Sequence, residues 1–229
     1  MKRIYSLLYN CDPGNSLGGS CQNDLRNVKR ILDNIDGYMH TTYIHSTDQF
    51  KDICDGFIYN ILQDDIVLIY LSGHGYQIPN KNLDELGEVD GMDEYINTPF
   101  GMVLDDDIKG LIINQLPKGV KFIGVADLCH SGTMFDIFDR LTNNIKYNCL
   151  SVGACLDAEL ESCDVGDVIG FGGSLTIQLL ESKINGHCLL EHIIRYFDDA
   201  GEIIKVESIL RDKLIVFGQH PVINVLAHR

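Results

Sequence analysis

Residues 66–75 read Ile-Val-Leu-Ile-Tyr-Leu-Ser-Gly-His-Gly, and residues 120–132 read Val-Lys-Phe-Ile-Gly-Val-Ala-Asp-Leu-Cys-His-Ser-Gly. Both open as nearly unbroken apolar runs, the pattern of strands buried on both faces of a parallel sheet. Both then break into short polar turns that contain glycine. In an open parallel sheet, ligands bind beyond the carboxyl ends of the strands. If the two strands are neighbours, His74 and Cys129 meet at one sheet edge, which is the arrangement a Cys–His pair needs for nucleophilic catalysis. The glycines around His74 allow close approach of a substrate backbone, and the Gly75 N–H is a candidate oxyanion donor.

The flanking segments fit the same sheet. Arg3 to Tyr9 is a mostly apolar strand, and residues 11–20 form a loop rich in Gly and Asn. Leu25, Val28, Ile31, Leu32 and Ile35 fall on one face of a helix predicted over Gln22 to Ile35. Thr41 to His45 is a short strand and Asp48 to Leu62 a second helix. Residues 75–101 are acidic and poorly periodic and are expected to be a long functional loop. Asp105 to Gln115 is a short helix with acids in its first turn, where the helix dipole favours them. Thr133 to Asn144 is helix or loop, and Tyr147 to Gly153 a strand. Helices over Ser174 to Lys183, Gly186 to Phe197 and Ile203 to Leu214 precede a final extended segment, Pro221 to Leu226. Strand and helix alternate, so the expected class is α/β, a mainly parallel central sheet with helices on both faces.

Length and composition narrow the function. The chain has 229 residues, suited to a single domain over 1–229 with a core large enough to need no metal or disulfide staple. Its net charge of −15 argues against nucleic-acid binding. It favours cations, basic peptides included. The longest apolar run, Ile66 to Leu71, is too short to span a bilayer, so no membrane association is expected. The eight cysteines include no C-x-x-C pair, which disfavours a zinc knuckle. With no secretory signal at Met1-Lys2-Arg3, a reducing cytoplasmic location is expected. Residues 84–94 hold six acids in eleven positions but do not fit an EF-hand, since Leu86 falls at the first ligand position. The glycine-rich stretches at 18–20 and 170–174 lack the Gly-Lys-Ser/Thr ending of a phosphate loop.

Several blocks resemble metacaspases, the caspase-like cysteine peptidases that cleave after Arg or Lys. Ser72-Gly73-His74-Gly75 and Asp127-Leu128-Cys129-His130-Ser131-Gly132-Thr133 are similar to that family's two catalytic blocks. Leu17-Gly18-Gly19-Ser20-Cys21-Gln22-Asn23-Asp24 resembles the block before its first helix. Asp90-Gly91-Met92-Asp93-Glu94, Asp105-Asp106-Asp107, Gly172-Gly173-Ser174-Leu175-Thr176 and Gln219-His220-Pro221 follow in the family's order. Two positions depart from the pattern: Leu128 stands where the family has Cys or Ser, and Pro99-Phe100-Gly101 replaces Pro-x-Asp.

The resemblance implies a caspase–haemoglobinase fold and a monomer; the layout expected is nearest the compact type I, departing from the family in having no prodomain. It implies Cys129 as nucleophile, His74 as proton donor to the leaving amine, and the N–H groups of Gly75 and Cys129 as the oxyanion hole. It implies that Asp24, Asp127 and Ser72, with Cys21 alongside, receive the basic side chain of a protein or peptide substrate. A buried Arg or Lys needs carboxylate partners on physical grounds too. It further implies calcium, Ca2+, at Asp93, Asp105, Asp106 and Asp136. The rival expectations are an inactive scaffold, a calcium-binding regulatory domain, and an Asp-specific caspase. The last would need a basic pocket, and neither catalytic block carries a nearby arginine.

Overall fold

The computed structural model describes residues 2–45, 49–80, 91–135, 137, 148–155, 163–166, 170–197, 203–214 and 221–226. The strands are β1 (Lys2–Cys11), β2 (Tyr38–His45), β3 (Ile66–Gly73), β4 (Gly75–Pro79), β5 (Met92–Thr98), β6 (Gly101–Leu104), β7 (Lys121–Asp127), β8 (Asn148–Gly153), β9 (Cys163–Gly166), β10 (Gly170–Gly173), β11 (Lys183–Ile184), β12 (His187–Cys188) and β13 (Val222–Leu226). The helices are α1 (Ser20–Asp33), α2 (Phe50–Ile58), α3 (Asp105–Leu111), α4 (Ser174–Glu181), α5 (Leu189–Phe197) and α6 (Ile203–Lys213).

The central sheet has six strands in the order β13-β8-β7-β3-β1-β2. Five run parallel, and β13 pairs antiparallel with β8 at one edge. The alternation along β3 divides the core into two layers, because successive strand residues point to opposite faces. Leu68 and Tyr70 pack with α1, α4, α5 and α6, while Val67, Ile69 and Leu71 pack with α2 and α3. Every residue of β3 is buried, which explains the unbroken apolar run.

The pairing of β3 with β7 sets Ser72 opposite Asp127, and that of β1 with β3 sets Asn10 opposite Ser72. The three strands therefore end level, and their carboxyl ends feed one edge. The expectation for residues 75–101 needs correction at both ends of the stretch. Residues 75–79 and 92–98 are strands, and with β6 they form a separate antiparallel sheet, β4-β5-β6. Its polar faces hid it from a search for apolar periodicity. Residues 81–90, most of the acidic run, lie outside the described residues, as do Gln219 and His220. Residues 183–188 form a two-residue hairpin, β11–β12, so α5 starts at Leu189 rather than Gly186.

The loop after β7 is pinned from below by Phe135, which is fully buried. A Cβ on Gly124 would lie 2.6 Å from the Phe135 ring, so β7 carries glycine where the ring crosses it. The ring also meets Phe122 edge-on, with centroids 5.7 Å apart. Phe135→Ala should cost about 3–5 kcal/mol, the usual penalty for emptying an aromatic core site. Urea denaturation of the variant against wild type checks this, and a loss under about 1 kcal/mol would contradict the anchoring role.

Candidate active site

His74 occupies the one-residue gap between β3 and β4, and Cys129 lies two residues beyond β7. Gly75 brings them together. A Cβ at Gly75 would lie 2.0 Å from the Cys129 carbonyl oxygen and 3.1 Å from Leu128 Cβ, so only glycine admits this approach. Cys129 is half-buried, and the His74 side chain is one-third exposed at 33%. His130 follows the cysteine with φ at 51°, a left-handed conformation that costs a non-glycine residue about 1–2 kcal/mol. Contacts to the end of β8 hold that turn. The Ala154 N–H donates to Ser131 Oγ at 2.9 Å, and the Cys155 thiol donates to the Leu128 carbonyl at 3.5 Å.

The residues expected to receive a basic side chain are brought together and buried. Asp24, Ser72, Asp127 and Cys21 are all at most 2% exposed. Ser72 Oγ donates to Asp24 Oδ2 at 2.9 Å, and the Gly173 N–H donates to the same carboxylate at 3.1 Å. The Thr176 N–H donates to Asp127 Oδ2 at 2.8 Å, joined by the Thr176 hydroxyl. Among the described residues, Asp127 Oδ1 is buried with no hydrogen-bond partner. Gly172 and Gly173 lie over the two acids. A Cβ at Gly172 would sit 2.2 Å from Asp24 Oδ1, and one at Gly173 would sit 2.3 Å from Asp127 Oδ2.

Burial, reinforced by the adjacent Asp127 carboxylate, pushes the Asp24 pKa up from 3.8 to about 8. Burial likewise pushes the Cys21 thiol up to about 11, against the hydrogen bonds from Ser20 and Ser72. Cys21 therefore lines the pocket as a neutral thiol.

Two residues next to His74 were missed at the sequence level. Ser16 Oγ lies 2.7 Å from His74 Nε2, and Asp12 Oδ1 lies 3.9 Å from the same nitrogen. Asp12 accepts the Ser16 N–H at 2.9 Å, the Ser16 hydroxyl at 2.9 Å and the Leu17 N–H at 2.8 Å. Burial alone would raise the Asp12 carboxyl, but these donors and the nearby His74 hold it below its ordinary value. An Asp followed four residues later by Ser in a Pro-Gly-Asn loop is a local capping signal, and it could have been noticed.

The acids expected to bind calcium divide. Asp93 on β5 and Asp105 at the start of α3 are buried, whereas Asp106 is exposed and Asp136 lies outside the described residues. Asp105 Oδ2 accepts the Glu94 N–H at 2.9 Å, which places Asp105 beside the 93–94 backbone. Among the described residues, no three His, Cys, Asp or Glu converge on a metal position. The carboxylate oxygens that are present suit a hard cation such as calcium in donor type. Glu94 is no solvated acid. It is fully buried, accepting Gln77 Nε2 at 2.7 Å and the Thr133 hydroxyl.

A cysteine and a histidine at the carboxyl edge of a mainly parallel sheet, above buried acids, fit the caspase-like class of fold. The comparisons agree. The family described as metacaspase, peptidase C14 domain, matches residues 6–138, so the chain belongs to the metacaspase family. It is 39% identical over 89 residues to Metacaspase-2 of Arabidopsis thaliana, covering 34% of this chain and 20% of that protein. It is 30% identical over 139 residues to Metacaspase-1 of Yarrowia lipolytica, covering 54% of this chain and 29% of that protein. The chain thus matches a third or less of the length of these relatives. A crystal structure of a Geobacter sulfurreducens protein superimposes with a TM-score of 0.62 at 21% identity, covering 100% of this chain and 94% of that one, and bears on the fold alone.

The raised Asp24 pKa predicts a pH dependence of stability. The folded protein keeps a proton that the unfolded chain releases near 3.8, so stability falls as pH rises from there to about 8 and then levels. Asp24→Asn should flatten this slope and raise the Tm most at pH 8. Thermal melts across that range check it, and parallel profiles for the two proteins would contradict it.

Proposed function

We propose that this chain is an endopeptidase that cleaves after Arg or Lys through Cys129 and His74 and is activated by calcium. The observation that supports the specificity is the buried Asp24–Asp127 pair, with Asp127 two residues before the nucleophile and one of its oxygens without a hydrogen-bond partner among the described residues. An unpaired buried carboxylate is costly, and a guanidinium or ammonium is the partner that relieves it. An aspartyl side chain would add a third negative group to the same space.

In the proposed reaction the Cys129 thiolate attacks the carbonyl carbon after the basic residue. The backbone N–H groups of Gly75 and Cys129 hold the oxyanion. His74 protonates the departing amine, which leaves a thioester on Cys129. His74 then takes a proton from water, and the hydroxide releases the acid product and restores the thiol–imidazole pair. Gly172 and Gly173 cover the pocket, so admission of a basic side chain requires that segment to move.

Asp93, Asp105, Asp106 and Asp136 would hold calcium, which supplies charge neutralisation for acids that otherwise repel one another. Glu94 supports a route from there to the catalytic residues. Its N–H bonds Asp105, and its carboxylate bonds Gln77, three residues after His74, and Thr133, four residues after Cys129.

Fluorogenic peptides ending in Arg, Lys or Asp, assayed with calcium, with magnesium and with chelator, test both claims. Arg and Lys peptides should be cleaved with calcium, and magnesium should substitute poorly. Cys129→Ala should abolish cleavage, and Asp127→Ala should lose most activity on basic substrates. Preference for Asp would overturn the acidic pocket, and full activity in chelator would overturn the calcium claim.

A further inference from the structure

We propose that Ser16 and Asp12 are positioning residues that complete the catalytic centre by holding His74 with its proton on Nε2. The inference rests on the peptidase reading above and names which ring nitrogen performs the chemistry. The direction of each hydrogen bond carries it. Asp12 is 2% exposed and receives three donors, and an ionised carboxylate only accepts. The single hydroxyl proton of Ser16 goes to Asp12 Oδ1 at 2.9 Å, because a charged carboxylate is a stronger acceptor than a neutral ring nitrogen. Toward His74, 2.7 Å away, Ser16 Oγ therefore presents a lone pair, and Nε2 must be the donor.

With Nε2 protonated, the lone pair of neutral His74 resides on Nδ1. Nδ1 is then the nitrogen that exchanges protons with Cys129 and with the leaving amine. Asp12 Oδ1, 3.9 Å from Nε2, supplies a fixed negative charge behind the imidazolium that forms during the reaction. The arrangement follows the logic of a catalytic triad, with a hydroxyl relaying between carboxylate and imidazole. Among the described residues, the Tyr76 ring also faces His74, with centroids 6.1 Å apart, and Gly75 brings the Cys129 segment close. The His74 N–H donates to the Cys11 carbonyl at 3.3 Å, so the residue is tied through its backbone to the same loop that carries Asp12 and Ser16.

Ser16 is exposed, so Ser16→Ala should leave the fold intact while removing the acceptor. The loss should lower kcat about tenfold with KM unchanged, the kinetic equivalent of one hydrogen bond. Ser16→Thr keeps the hydroxyl and should restore most of the rate. Long-range 1H–15N spectra of the imidazole rings provide a readout independent of turnover, with the His74 signals assigned by their absence in His74→Gln. Wild type should show the Nε2–H tautomer, and Ser16→Ala should show a mixture of both. An Nδ1–H tautomer in wild type, an unchanged tautomer in Ser16→Ala, or an unchanged kcat in that variant would each overturn the proposal. A wild-type protein that cleaves no peptide would refute the peptidase reading instead, and the tautomer spectra would still decide the role of Ser16.

Discussion

The parallel pairing of β3 with β7, in the register that sets Ser72 opposite Asp127, is the constraint on which the site depends. Each strand is followed by a very short turn, so neither His74 nor Cys129 can lie far from where its strand ends. A shift of one residue would turn Asp127 from the pocket to the other face of the sheet. It would also bury polar groups among the apolar side chains of the other layer. The core packing on both faces of β3 thus holds the chemistry in place, although none of those residues takes part in it.

The same register creates an electrostatic problem. Two carboxylates are drawn under the sheet edge and removed from water, where a bare ionised pair would cost several kcal/mol. The fold offsets this with donors rather than cations: Ser72 and Gly173 on Asp24, and Thr176 on Asp127. The Thr176 hydroxyl is itself bonded by Tyr70 from the neighbouring strand. The compensation is incomplete, because Asp24 retains a proton well above the usual carboxylate range and one Asp127 oxygen has no hydrogen-bond partner among the described residues. A site left short of one positive charge is poised for a ligand that carries one. Gly172 and Gly173 follow from the same geometry, since any side chain there would collide with the acids beneath.

The parts of the fold that were legible in the sequence are those where burial is complete. β3 and β7 read as apolar runs because helices cover both faces, and α1 showed its apolar stripe because one face meets the sheet. His74 and Cys129 were legible as candidates because they sit where those runs end. The pocket acids were legible only through likeness to a family, since Asp24 alone is indistinguishable from any acid in the first turns of a helix. The β4–β5–β6 sheet was not legible, because its strands carry mixed polar and apolar residues on partly exposed faces. Asp12 and Ser16 were hidden for a different reason: their partner, His74, lies 58 residues from Ser16 along the chain.

Glu94 shows why charge counts mislead at such a site. It stands in the most acidic stretch of the sequence, where the simplest expectation is a solvated face. Its position opposite Gln77 in the β4–β5 pairing instead turns it inward, to the loop that carries Cys129. A buried carboxylate held by an amide and a hydroxyl tolerates little displacement of either donor, because losing one leaves a charge without compensation in a dry interior. The strand after His74 and the loop after Cys129 are therefore tied to a common point on β5. Asp105 holds that point from the other side through the Glu94 N–H. The β4–β5–β6 sheet, the part of the chain least visible in the sequence, is thus the element that sets the two catalytic segments relative to each other outside the central sheet.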